Sequence, residues 1–253
     1  MRGACGRSSP VAMLTLFIPS NYEAAVFKRA LENGRKVRVG GVVAREGRLC
    51  GVPVRLVVCG MGPVHSARRV EAVLAAVASS GALGPVWLAG FGGGLDPGLE
   101  RYAIVYLAGD AAVASAIGRV PSTLPPRRIE TILTSGVVVD TPEKKRAAFR
   151  DMGAPIVDME TGPFLALAGK YQCQWAVIRI VSDEVSEEFP ADLIASSHDF
   201  VRGRDTPLRL AWRLLTHPRD VGRLRKFLAP LPEARRRLLA FVAAAARMSL
   251  QIS

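Results

Sequence analysis

The chain has 253 residues, a length that suits one large domain, or one domain with an appended segment. A hydrophobic content of 49% and a charged content of 22% exclude global disorder, and no apolar run reaches the ~20 residues of a membrane span. The net charge of +12 points first to nucleic acid or an anionic membrane, but Val201 to Ser253 carries twelve Lys/Arg against three Asp/Glu, so the basic character belongs to the tail and nucleic acid is set aside.

Met1 to Ile18 places two arginines before the apolar stretch Val11–Ile18 and Pro19, which imitates a short signal peptide. No small-residue cleavage site follows, so residues 1–12 read as an extension ahead of a buried strand, Met13–Ile18. Glu23–Leu31 reads as a helix capped by Ser20 or Asn21. Strands follow at Val37–Val43 and Val52–Cys59, the second running into Gly60-Met61-Gly62-Pro63. Ser66–Val77 is a helix with Val70, Val73, Leu74 and Val77 on one face. The strand Pro85–Ala89 runs into Gly90-Phe91-Gly92-Gly93-Gly94.

Short strands are expected at Ala103–Leu107, Ile129–Leu133, Gly136–Val139 and Pro155–Val157. Thr161–Ala168 is a helix, Trp175–Val181 a strand ending at Ser182-Asp183, and Pro190–Ser197 a helix. Strands alternating with helices imply an α/β sheet covered on both faces, with ligands at the carboxyl ends of its strands. Leu208–Leu215, Val221–Phe227 and Ala234–Arg247 read as three further helices. The division is therefore an extension (1–12), a catalytic domain (13–200) and a basic helical appendage (201–253).

Cys5, Cys50, Cys59 and Cys173 show no CxxC spacing, so neither a zinc site nor a disulfide framework is expected, and a reducing cytosol is the default compartment. The two glycine clusters, Gly60-Met61-Gly62 and Gly90-Phe91-Gly92, offer close backbone approach to a sugar or to phosphate oxygens; tight turns are the competing reading. His65 and Leu95 stand where a GxGxxG fingerprint needs its third glycine, so no nicotinamide cofactor is expected. Asp158-Met159-Glu160 and Arg179-Ile180-Val181-Ser182-Asp183 bring carboxylates and a guanidinium to strand ends. A buried carboxyl there is suited to protonating a leaving nitrogen. A helix cap at Asp158 and a loop salt bridge at Asp183 are the structural alternatives.

Val157-Asp158-Met159-Glu160-Thr161 and Arg179-Ile180-Val181-Ser182-Asp183 resemble the two signature stretches of the nucleoside phosphorylase family, over about residues 13–200 and on its methylthioadenosine/adenosylhomocysteine nucleosidase branch. The resemblance implies a three-layer α/β/α sandwich with a central mixed, mostly parallel sheet, and cleavage of the N-glycosidic bond of an adenine nucleoside without a cofactor. It implies Asp183 as the acid toward the purine, Glu160 and Met159 on the ribose, Arg179 beside the nucleophile and Glu23 activating water. Gly60, Gly62, Gly90, Phe91 and Gly92 fall on the nucleophile side, and Val138, Val139 and Ser182 on the base side.

Phosphorolytic relatives carry an Arg two residues before the glycine loop and a Ser or Thr within it. Leu88 and Phe91 occupy those places, which favours water over phosphate as the acceptor. Aliphatic Val137, Val138 and Val139 stand where a purine-stacking aromatic is expected. The resemblance further implies a homo-oligomer. The alternative class is a degenerate, non-catalytic binder of a nucleoside or lipid.

The segment from Asp205-Thr206-Pro207 to Leu238, together with Gly-Gly-Leu-Asp-Pro at Gly93–Pro97, is similar to hopanoid-associated phosphorylases, which implies an adenosylhopane-like lipid substrate. In the tail, Arg209, Arg213, Arg223, Arg225, Lys226, Arg235, Arg236 and Arg237 alternate with Leu208, Leu210, Trp212, Leu214, Leu215, Phe227, Leu238 and Leu239. That pattern suits peripheral contact with the inner membrane face, or packing against the domain.

Overall fold

The computed structural model describes residues 13–199, 204–205 and 207–250. The extension before Met13 lies outside the described residues. Strand β1 (Leu14–Ile18) is buried along its whole length and sits mid-sheet. Helix α1 (Asn21–Ala30) starts at a capping box in which the Ser20 and Glu23 side chains each bond the other's backbone N–H.

Three antiparallel strands follow: β2 (Glu32–Val39), β3 (Val42–Leu49) and β4 (Val52–Val58). Here the expected single strand Val37–Val43 is corrected. Gly40 and Gly41 both take positive φ, 56° and 79°, as a type I′ hairpin turn requires, and the chain reverses between them.

Helix α2 (Pro63–Ser79) buries Val70, Val73, Leu74 and Val77. Strands β5 (Val86–Gly94) and β6 (Ile104–Ala108) follow. Helix α3 (Ala111–Gly118), capped by Asp110, comes next and escaped the sequence pattern because it is apolar almost throughout.

The expected strand Ile129–Leu133 reduces to two short ladders, β7 (Arg127–Arg128) and β8 (Leu133–Thr134). Gly136–Val139 is not a strand. Ser135 Oγ bonds the backbone of Val137, turning the chain out of the sheet. A second unanticipated helix, α4 (Pro142–Met152), is capped by Thr141 and closed by Gly153 in the left-handed region.

Strand β9 (Ile156–Asp158), helix α5 (Thr161–Lys170), strand β10 (Trp175–Asp183) and helix α6 (Ala191–Ser197) agree with the pattern. A small ladder, β11 (His198–Asp199) with β12 (Arg204–Asp205), leads to helices α7 (Pro207–Thr216), α8 (Arg219–Leu228) and α9 (Leu231–Leu250).

The large sheet runs β2-β3-β4-β1-β5-β10-β6-β7, with β9 joining β5 to β8. Its centre, β4-β1-β5-β10, is parallel, and antiparallel ladders flank it, so the sheet is mixed. One face packs on α1, α3 and α9 through Phe27, Ile117, Leu238, Phe241 and Val242. The other packs on α2 and α5 through Val70, Leu74 and Phe164. The result is helix, sheet, helix.

The tail does not act as one appendage. Leu238, expected as a candidate for a membrane face, is fully buried because α9 supplies part of a covering layer. Arg213 and Arg223 bind Asp192 and Asp220, which ties α7 and α8 to α6. Trp212, Leu215, Val221 and Leu228 stay exposed, and the side chains of Leu208, Arg209 and Leu210 lie outside the described set. Among the described residues no helix is long and apolar enough to cross a membrane.

Candidate active site

Because β4, β1, β5 and β10 run parallel, their carboxyl ends meet at one edge of the sheet. This is where α/β sheets present ligands. There a cavity of about 480 Å³ is lined by Glu23, Met61, Phe91, Gly92, Val138, Val139, Met159, Glu160, Ser182 and Asp183, among others.

Glu23 reaches the cavity from the first turn of α1. Its Oε2 accepts from Ser20 N–H at 3.1 Å and Ser20 Oγ at 2.5 Å, and its Oε1 accepts from Phe91 N–H at 2.7 Å. Burial pushes this carboxyl above its ordinary range, and the bonds from Ser20 and Phe91 and the charge of Arg179 oppose the rise.

Arg179 lies behind the cavity wall, wholly buried in β10. Its Nη2 sits 2.5 Å from Asp158 Oδ2 and 3.6 Å from Glu160 Oε2. Nε and Nη1 have no hydrogen-bond partner among the described residues. Asp158 also accepts from Thr161 N–H and Oγ1 at the start of α5, so it combines the expected cap with the arginine pair.

The glycines of β5 correct one expectation. Gly90, Phe91 and Gly92 are not a loop; they continue the strand and pair with Arg179, Ile180 and Val181 of β10. Their reason is space. A Cβ on Gly90 would lie 2.5 Å from Arg179 Nη1 and 2.8 Å from Glu23 Oε1, and one on Gly92 would lie 2.7 Å from Ile156 Cδ1. Guanidinium and carboxylate thus converge over one bare α-carbon.

The first glycine cluster is a turn, with φ of 92° at Gly60 and 86° at Gly62. Neither glycine lines the cavity, but Gly62 donates its N–H to Glu160 Oε1 at 2.8 Å. Glu160 is pushed up to about 7 by burial, with Arg179 opposing and Asp158 adding to the rise.

Asp183 is held from both sides. Its Oδ1 accepts from Ser182 Oγ at 2.6 Å and its Oδ2 from Lys145 Nζ at 2.5 Å. The partner is therefore a buried lysine of α4, not a loop salt bridge, and sequence reasoning missed it. Also missed were Tyr22, Phe189 and Phe227, aromatic residues that reach the cavity from separate segments. Phe189 and Phe227 meet edge to face at 5.0 Å, and Tyr22 meets Phe91 at 6.5 Å. Aromatic lining is thus present although Val137, Val138 and Val139 are aliphatic.

Chemically, the polar end unites four buried carboxyls and backbone donors, with a guanidinium behind them, while the remaining lining is largely apolar. An architecture of this kind, with its site at the carboxyl edge of a mixed sheet, is the nucleoside phosphorylase/nucleosidase fold.

Residues 112–202 match the family described as the phosphorylase superfamily. The whole architecture is similar to the methylthioadenosine/adenosylhomocysteine nucleosidase of Streptococcus pneumoniae in complex with 8-aminoadenine (TM-score 0.67, 18% identity, 93% of this chain and 99% of that one). It is similar to a futalosine hydrolase mutant of Helicobacter pylori (TM-score 0.69, 13% identity, 94% and 99%). It is also similar to a putative nucleosidase of the first kind from Borrelia burgdorferi bound to adenine (TM-score 0.69, 14% identity, 93% and 99%). No curated protein matches the chain.

Proposed function

We propose that this protein is an N-ribosyl hydrolase that cleaves the N-glycosidic bond of an adenine nucleoside and releases adenine. The carrying observation is the convergence of Glu23, Glu160 and Asp183 on one cavity from three segments of chain, with Arg179 buried behind its wall. The likeness to nucleosidases and a futalosine hydrolase supports the same reading.

Cleavage through an oxocarbenium-like sugar needs a proton or hydrogen bond on the leaving base, a grip on the ribose and a directed nucleophile. Asp183 serves the base, with Ser182, Val138 and Val139 beside it. Glu160 grips the ribose hydroxyls, and Met159 packs on the sugar. Glu23 orients the attacking water, and Arg179, whose Nη1 reaches the same α-carbon of Gly90 from behind the wall, supports its charge on the nucleophile side. General acid assistance of this kind contributes about 10²–10⁴ in rate.

Water is favoured over phosphate. Leu88 is buried in the core and Phe91 presents a ring where a hydroxyl would be needed. The buried Glu23 carboxylate would repel a phosphate dianion. Away from the polar end, Tyr22, Ile194, Phe227, Leu228 and Leu231 make the cavity apolar, and Val137 and Leu228 are exposed at its surface. That lining suits a nucleoside with an apolar 5′ substituent: methylthioadenosine, adenosylhomocysteine or an adenosylhopane-like lipid. Homo-oligomerisation and peripheral membrane contact through α7 and α8 belong to the same proposal.

Adenine release from these three substrates, measured with and without phosphate, tests it. Asp183→Asn is expected to lower release by orders of magnitude while the protein stays folded. Undiminished release would remove Asp183 from the mechanism, and strict phosphate dependence would overturn the hydrolase reading.

A further inference from the structure

Lys145 is a buried charge beside the cavity-lining Asp183 to which the reading above gives no role. Its side chain is fully buried, on a helix whose other cations face solvent. A buried ammonium is costly unless every proton finds an acceptor. All three do: Nζ donates to Asp183 Oδ2 at 2.5 Å, to Glu184 O at 2.8 Å and to Glu187 O at 2.8 Å. Lys145 therefore joins α4 to the loop after β10 and meets the carboxyl on the oxygen that Ser182 leaves free.

We propose that Lys145 is a positioning residue that sets the orientation and charge balance of Asp183 toward the leaving base. This rests on the nucleosidase reading above. With Ser182 on one oxygen and Lys145 on the other, the carboxyl plane is fixed, and only its remaining lone pairs face the cavity. Lys145 itself does not line the cavity, so it acts through Asp183 and not on substrate. The loop it binds is tied a second time, by Arg101 to Glu187. Loss of Lys145 should therefore affect the carboxyl more than the loop.

The discriminating probe is the leaving group. Adenine needs help at its nitrogen, whereas p-nitrophenolate leaves without a proton. Lys145→Met is expected to lower kcat on methylthioadenosine about 100-fold, the scale of a misplaced catalytic group, with little change in KM. Cleavage of p-nitrophenyl β-ribofuranoside should change less than about threefold, because a leaving group that takes no proton gains nothing from the acid. Equal losses on both substrates would make Lys145 merely structural, and no loss on methylthioadenosine would remove the role.

Should Lys145→Met fail to fold, Lys145→Ala assayed with and without propylamine takes its place. Recovery on methylthioadenosine alone supports the proposal, and no recovery overturns it. Side-chain ¹⁵N NMR gives a readout independent of turnover: a slowly exchanging ammonium signal that is absent in Lys145→Met and shifts in Asp183→Asn. An unmoved signal in Asp183→Asn would overturn the pairing alone. No turnover of either substrate by the native protein would overturn the proposed function and, with it, the role of Lys145.

Discussion

Glu160 shows how burial and charge compete at one carboxyl. Its neighbours include Arg179, yet loss of water dominates and pushes it up to about 7 from an ordinary value of 4.5. Between those two values the folded chain holds a proton that the unfolded chain has released. Stability from this group therefore falls as pH rises through that window. Each pH unit is worth at most about 1.4 kcal/mol. We expect melting temperature to fall between pH 5 and pH 8, and Glu160→Gln to flatten that slope while abolishing base release. Calorimetry across the range checks it; an unchanged slope would show that Glu160 is ionised throughout.

The same scale shows what a linear pattern conveys and what it withholds. Met159, Glu160, Arg179, Ser182 and Asp183 stood out because they lie in or just after buried strands. Lys144 and Lys145 are neighbours in one basic helix and look alike in sequence. Lys144 pairs with Asp140 in solvent, and Lys145 is sealed against Asp183. Only the direction in which α4 faces the domain separates them.

At the scale of elements, the start of α1 couples stability to the site. Ser20 caps the helix and also donates to the Glu23 carboxylate that faces the cavity. Replacing a capping serine by alanine costs about 1 kcal/mol. For a chain of this size that lowers the melting temperature by roughly 2–4 °C. We expect Ser20→Ala to do so and also to reduce kcat more than KM, since Glu23 keeps only its two backbone donors. Unaltered kcat beside a lowered melting temperature would confine Ser20 to capping. The glycine strand makes a related point. Gly90 to Gly94 read as loop because glycine weakens strands. They remain strand because Arg179, Glu23 and Ile156 occupy the space their side chains would take.

At the scale of the whole molecule, the basic tail divides in two. Helix α9 belongs to the core, so a chain cut after Phe200 would expose Ile117, Phe27 and their neighbours and could not report on membranes. The exposed residues lie on α7 and α8, where Trp212 is 70% and Leu215 77% accessible, near exposed Arg219, Arg225 and Lys226. Cations at an anionic surface contribute about 1 kcal/mol each. We expect the full chain to sediment with phosphatidylserine vesicles at low salt. The double variant Trp212→Ser/Leu215→Ser should bind severalfold less and melt at the native temperature. Equal binding by the two would assign that face to another contact.

Composition, the spacing of apolar runs and the two acidic signature stretches determined by themselves that the chain is an α/β domain and which of its strands carry acidic groups at their ends, because strand burial and strand-end carboxylates are local properties. Tertiary structure alone decided that α9 completes the core, that Gly90 is the floor beneath Glu23 and Arg179, and that Lys145 answers Asp183. Those facts depend on which faces meet across 38 to 213 residues of intervening chain, as between Lys145 and Asp183 or Tyr22 and Arg235, and no local pattern encodes that meeting.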